Sequence, residues 1–115
     1  MEGTMEVTTT HFKHCVLVKV NGRIDSFTAP QLQSAFTELV DSKNYKVVFD
    51  MQVVEFMSSA GLRVMMSAQK ACKRHNRGEL VLCCVPVRII EAMELAGFLP
   101  LFKIFNDSTQ AVGYF

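Results

Sequence analysis

Several features that mark common protein classes are scarce in this chain of 115 residues. Three prolines and six glycines stand against a hydrophobic fraction of 50%, which is typical of a globular domain and not of a disordered segment. Twelve basic and eleven acidic residues leave a net charge of +1, which points to neither nucleic acid nor an anionic membrane. No apolar run approaches the roughly 18 residues of a membrane span, and residues 1–5 do not resemble an export signal. We expect one soluble, cytoplasmic domain over residues 1–115.

Metal-ligand spacing is also missing. The four cysteines and the three histidines do not recur at the short intervals of a zinc site. The adjacent Cys83 and Cys84 lie in an apolar run and are interpreted as small core residues, which suits a reducing compartment. The sequence therefore predicts no metal site and no cofactor.

Hydrophobic periodicity divides the chain into alternating strands and helices. Thr28 predicts the N-cap of the first helix, Gln31 would complete a capping box, and Pro30 suits the first turn. Asn21-Gly22 ends the second strand in a pair typical of hairpin turns, and Gly78 is expected to end the second helix. The predicted strands cover residues 5–12, 15–20, 45–50, 79–85 and 101–105, and the predicted helices cover about 29–40, 59–76 and 86–97.

This order, β-β-α-β-α-β-α-β with room for a short terminal helix after Asp107, predicts an α/β fold. The alternation after residue 44 indicates a small mixed sheet with right-handed crossovers and helices packed on it. Residues 45–50 are large and apolar without clean alternation. We therefore expect that strand to be central and buried on both faces.

The apolar run over residues 45–56 ends at Ser58 and Ser59, and a helical pattern begins after Gly61. We interpret this as a strand leading into a helix, with one serine at the helix N-terminus, where its oxygen can accept a backbone N–H. A negative group there is tolerated by the helix dipole. A simple cap and a regulatory serine both fit. A catalytic serine is disfavoured, because Met57 replaces the first glycine of a nucleophile elbow and no partner is placed by sequence.

A set of ordered blocks resembles the STAS domain family, in its anti-sigma factor antagonist branch. The blocks are residues 22–25 (Gly-Arg-Ile-Asp), the capped helix, the strand ending at Asp50, residues 56–62 and residues 86–98. The resemblance implies a non-enzymatic regulator that binds an anti-sigma factor of the serine-kinase type and releases a sigma factor. Phosphorylation of the strand-to-helix serine would prevent that binding, and a serine phosphatase would restore it.

The family motif, Asp-Ser-Ser/Ala/Thr-Gly, implies that Ser59 is the phosphorylated residue and that Ser58 stands where the family has an acid. Ser58 is the second choice as acceptor. The residues expected at the partner-binding surface are Asp25, Ser58, Ser59, Gly61, Leu62 and Arg63. From its position alone Asp25 equally suits a turn or capping role. The missing acid keeps an alternative open, a STAS scaffold or transport-associated subunit that is never phosphorylated.

Overall fold

The computed structural model describes residues 4–115 and confirms the predicted order of strands and helices. It adds one short strand before the second long helix and a 3-10 turn at Leu99–Leu101. No helix among the described residues is long and apolar enough to cross a membrane. The strands are β1 (Met5–His11), β2 (Val16–Ile24), β3 (Lys46–Asp50), β4 (Val54–Met57), β5 (Glu79–Cys83) and β6 (Ile104–Phe105), and the helices are α1 (Ala29–Asp41), α2 (Ser59–Lys73), α3 (Val87–Leu95) and α4 (Ser108–Tyr114).

The sheet is mixed, with the order β1-β2-β3-β5-β6 and with β4 also paired to β2. Only the β1–β2 pair is antiparallel among the described strands. Along its other edge β2 pairs first with β3, from Val16 to Lys19, and then with β4, from Gly22 to Ile24. The five strands from β2 to β6 all run in one direction, and their carboxyl ends therefore face the same edge of the sheet.

The apolar run over residues 45–56 is therefore not one strand but two. The carboxylate Oδ1 of Asp50 accepts the backbone N–H of Gln52 at 3.0 Å, and the N–H of Val54 donates to the carbonyl of Met51 at 3.1 Å. These bonds turn the chain between β3 and β4. Asp50 thus has a structural role in this turn.

The prediction that β2 ends at Asn21-Gly22 was wrong. Gly22 has φ +119°, and the pairing of β2 with β4 shifts register between Gly22 and Arg23, so this is a bulge within a continuing strand. A Cβ at Gly22 would also approach the carbonyl oxygen of Thr4 to 2.5 Å. Glycine is required here by both φ and space.

Helices α1, α2 and α3 pack on one face of the sheet and the short α4 packs on the other. The larger core joins Leu32 and Phe36 of α1 and Met65 of α2 to the sheet, where Phe36 meets Phe49 edge to face at 5.5 Å. Val47, Val48 and Phe49 in β3 are buried, which confirms a strand covered on both faces. Each large side chain buried in this way contributes about 1.5–3 kcal/mol to the free energy of unfolding.

Two helix ends in the structure differ in detail from the prediction. Thr28 is the N-cap of α1, but its hydroxyl donates to the carbonyl of Arg23 at 2.8 Å, so the capping box with Gln31 was wrong. Helix α2 ends at Lys73, and the left-handed residue after it is Arg77, with φ 62°. Gly78 is needed for space, because a Cβ there would collide with the Cys72 carbonyl.

Candidate functional site

The site begins where β2 and β4 end side by side. The backbone N–H of Ser58 donates to the carbonyl of Ile24 at 2.8 Å, as the last bond between the two strands. The next residues along each strand are Asp25 and Ser59. Helix α2 starts at Ser59, and its first intrahelical bond runs from the N–H of Leu62 to the carbonyl of Ser58 at 3.1 Å. Ser58 is therefore bonded to the sheet through its N–H and to helix α2 through its carbonyl.

The two serines of the junction have opposite environments. Ser59 is exposed, whereas the hydroxyl oxygen of Ser58 is buried and has no hydrogen-bond partner. Ser58 occupies the N-cap position with an extended backbone, but its side chain makes no capping bond, so that part of the prediction was wrong. A buried hydroxyl without a partner is costly. Ser59 is the hydroxyl that an external protein can reach.

The first turn of α2 separates the predicted contact residues into two groups. Gly61 and Leu62 are buried, while Arg63 is exposed. A Cβ at Gly61 would lie 2.7 Å from Cγ2 of Ile24, so glycine lets the helix approach the end of β2. Ser59 and Arg63 are four residues apart and share one helix face. The structure thus brings Ser59, Arg63 and Asp25 to one edge and leaves Gly61 and Leu62 beneath the surface.

The loop between β2 and α1 is closed by Asp25. Its Oδ1 accepts the backbone N–H groups of Phe27 at 3.0 Å and Thr28 at 3.1 Å. The hydrogen bond from the Thr28 amide, helped by those of the Phe27 amide and the Thr28 hydroxyl and by the charge of Arg23, holds the pKa of Asp25 below its usual value against partial desolvation. Asp25 therefore has the turn role that its position suggested, and it remains partly exposed.

Sequence reasoning missed the apolar residues at this edge. Phe27, at the tip of the Asp25 loop, is 89% exposed. Phe56 of β4 is also exposed, and the guanidinium of Arg23 lies 4.4 Å from the centroid of its ring. A phenylalanine between Ser26 and Thr28, outside any apolar period, was the available signal for an exposed aromatic side chain. Surface aromatic and arginine side chains are enriched where proteins bind one another.

The sequence model of the STAS domain family matches residues 6–111 of the chain. The protein belongs to the STAS domain family. BtrV of Bordetella bronchiseptica, named as an anti-sigma factor antagonist, is 32% identical over 111 residues, which cover 96% of this chain and 95% of that protein. Both chains of this pair are thus matched over nearly their full length.

Solved structures share the STAS fold at lower identity. An anti-sigma factor antagonist from Mycobacterium paratuberculosis superposes with a TM-score of 0.89 at 21% identity, over 99% of this chain and 96% of that one. The anti-sigma factor antagonist SpoIIAA in its unphosphorylated form gives a TM-score of 0.82 at 12% identity, with 95% of both chains covered. Phosphorylated SpoIIAA from Bacillus gives 0.75, also at 12% identity, over 95% of this chain and 98% of that one.

The thiols of this STAS domain are poor nucleophiles. Burial raises the pKa of Cys72 to about 11, and it also raises the pKa values of Cys15, Cys83 and Cys84. All four are thus protonated near neutral pH, and the thiolate is the reactive form. Cys83 is a core residue, as predicted, whereas Cys84 is only half-buried.

Proposed function

We propose that this STAS domain is an anti-sigma factor antagonist. It binds a cognate anti-sigma factor of the serine-kinase type at the edge formed by the Asp25 loop and the β4–α2 junction, and so releases a sigma factor. It acts by binding and carries out no catalysis. Membership of the family and the name of BtrV support the class of partner. The exposed Ser59, beside a hydroxyl of Ser58 that is out of reach, supports the position of the switch.

Phosphorylation of Ser59 would leave the fold intact. A phosphate brings about −1.5 to −2 charges to the N-terminus of α2, where the helix dipole is positive. Arg63, one turn further on the same face, carries a guanidinium suited to charge-assisted bonds with phosphate oxygens. The modification is therefore accommodated by its own helix.

The same phosphate would oppose complex formation. Burying a hydrated dianion in an interface without matched partners costs several kcal/mol, and each 1.4 kcal/mol lowers affinity tenfold. If Arg63 pairs with the phosphate, it is also withdrawn from the partner. A serine phosphatase would restore the binding surface. The switch thus operates at the surface and requires no change of fold.

Phe27 is the apolar anchor of the proposed interface. Its backbone N–H is bonded to Asp25, so the exposed ring projects from a closed turn and little backbone entropy is lost when a partner covers it. Aromatic anchors of this kind commonly contribute 2 kcal/mol or more to binding. The loop acid and the exposed ring therefore act together, the first positioning the second.

The phosphorylation is tested by measuring intact mass after incubation with candidate kinase-type anti-sigma factors of the same organism and Mg-ATP. We expect one added phosphate, mapped to Ser59, absent in Ser59→Ala and retained in Ser58→Ala. Transfer to Ser58→Ala and Ser59→Ala alike would place the acceptor elsewhere. A stable complex with no transfer under any condition would favour the alternative, a constitutive STAS scaffold or transport-associated subunit, for which the missing acid at Ser58 is the motivating observation.

The binding surface is tested by calorimetric titration of the same anti-sigma factor. We expect Phe27→Ala to weaken binding by about 30-fold, the loss that corresponds to 2 kcal/mol, and Ser59→Asp to abolish detectable binding. Leu95→Ala is the matched control, since Leu95 is 92% exposed at the far end of α3. Equal losses in Phe27→Ala and Leu95→Ala would contradict the proposed surface.

A further inference from the structure

A second group of chemically active side chains lies at the end of β3 and β5. Asp50 and Cys83 are directly opposite one another as the last pair of this parallel ladder. Cys83 packs with Val48 on the face covered by α4, and Asp50 shares that face because it is two residues beyond Val48. Asp50 is 5% exposed and Cys83 is fully buried. A carboxylate and a thiol are thus held side by side away from bulk water.

Cys84 joins this pair through an unusual backbone conformation. Regular alternation along β5 would direct Cys84 to the face opposite Cys83. Cys84 instead has φ 58°, a left-handed conformation that non-glycine residues rarely adopt, and its N–H donates to the carbonyl of Phe105 at 3.1 Å. As a result, one ligand atom each of Asp50, Cys83 and Cys84 lies within 4.8 Å of the others.

We propose that Asp50, Cys83 and Cys84 form a binding site for a soft divalent metal ion, with Zn²⁺ as the ion that this donor set suits best. Two sulfurs and one carboxylate oxygen are ligands that zinc prefers. Tetrahedral coordination places neighbouring donors roughly 3.5–3.8 Å apart, given Zn–S near 2.3 Å and Zn–O near 2.0–2.2 Å. Small rotations of the three side chains bring their donor atoms, which lie within 4.8 Å of one another, to that spacing. Water from the half-buried side of Cys84 supplies the fourth ligand.

Binding exchanges ions without any redox change. Both thiols enter protonated, the ion forms two Zn–S bonds and one Zn–O bond, and two protons leave to solvent. The product carries two thiolates and one carboxylate around a dication. The carboxylate of Asp107, at the start of α4, adds to the negative field that acts on both sulfurs.

An ion at this position would add a direct link between two segments that follow β3 and β5. Asp50 leads into the turn before β4, and Cys84 leads into α3. The metal would therefore fix the start of both segments. It would stabilise the native state by mass action, since the unfolded chain holds no preformed site. The proposal does not depend on the identity of the partner protein or on phosphorylation.

The test is a pair of titrations of the reduced protein. Binding of Cd²⁺ is measured by the thiolate-to-metal charge-transfer absorption, and binding of Zn²⁺ is measured by the change in melting temperature. We expect one equivalent of Cd²⁺ to saturate the absorption and Zn²⁺ to raise the melting temperature. Cys84→Ala should lose both responses, Asp50→Asn should weaken Cd²⁺ binding at least tenfold, and Cys15→Ala, which alters a buried cysteine outside the group, should retain both.

Circular dichroism first confirms that each variant is folded. If Cys84→Ala is unfolded, the decision rests on Asp50→Asn, which keeps both thiols and the shape of the side chain. No charge-transfer band in the folded wild type would overturn the proposal. A band of unchanged affinity in folded Cys84→Ala or folded Asp50→Asn would overturn it as well.

Discussion

Gly61 lies against Ile24 so closely that a Cβ at Gly61 would come within 2.7 Å of the Ile24 Cγ2 atom and 2.9 Å of the Met57 Cγ atom. The first turn of α2 is thereby held on the ends of β2 and β4. Because Ile24 is β-branched and fully buried, it has little freedom to move aside. The position of Ser59 at the surface depends on this contact.

We expect Gly61→Ala to lower the free energy of unfolding by up to about 2 kcal/mol, because an overpacking cost of about 1–3 kcal/mol outweighs the roughly 1 kcal/mol gained in helix propensity. Urea unfolding measures the change. Gly113→Ala is the matched control, since nothing lies within 4 Å of a Cβ there, and it should gain up to about 1 kcal/mol. Equal gains in both variants would show that α2 is not held against β2.

Ser58→Ala separates a real helix cap from a buried hydroxyl without a partner. A working cap would cost about 1 kcal/mol on removal, whereas an unsatisfied hydroxyl should be removed at no cost or with a small gain in stability. We expect the second outcome by chemical denaturation. Asp107→Ala supplies the comparison, because Asp107 accepts the N–H of Gln110 at 2.8 Å and should lose about 1 kcal/mol. A similar loss in both would mean that Ser58 caps α2.

Asp25 should make stability depend on pH. Its folded-state pKa is lowered, so its charged form stabilises the native state above the unfolded pKa of about 3.9, and this contribution is lost as pH falls through the folded pKa. Asp25→Asn should therefore unfold at lower urea than the wild type at pH 7, and the difference should shrink below about pH 4. A difference that is constant with pH would contradict this role.

Gln69 links α2 to β5 and to the 3-10 turn at Leu99–Leu101. Its Oε1 accepts the N–H of Leu80 at 2.8 Å, and its Nε2 donates to the carbonyl of Leu101 at 2.9 Å. Gln69→Leu should cost roughly 1–3 kcal/mol for each backbone group left without a partner. Hydrogen exchange should become faster at the Leu80 amide. Gln31→Leu, on the exposed face of α1, should change neither quantity.

The parts of the fold that follow from local pattern were predictable. The apolar face of α1 and the serine junction before α2 depend on neighbouring residues, and periodicity or motif spacing indicates both. The division into β3 and β4 was not predictable in this way. It depends on one hydrogen bond of Asp50 and on pairing with β2, about thirty residues away.

The orientation of individual side chains was the second feature that could not be predicted from the sequence. Thr28 has the position of a cap, but its hydroxyl bonds to Arg23, because the Asp25 loop folds back on β2. Cys83 and Cys84 have no metal-ligand spacing in sequence. Their approach to Asp50 arises from the register of β3 with β5 and from the left-handed backbone of Cys84. Neither relation can be obtained from composition or periodicity.

The double pairing along one edge of β2 also has a consequence for how the chain folds. The β1–β2 hairpin closes a short loop. The pairings of β2 with β3 and β4 close a longer loop that contains α1, and this costs more chain entropy. Every one of these pairings needs β2. Val18 of β2 pairs with both β1 and β3. We expect Val18→Ala to slow refolding more than it speeds unfolding in stopped-flow measurements, as for a residue in the folding nucleus.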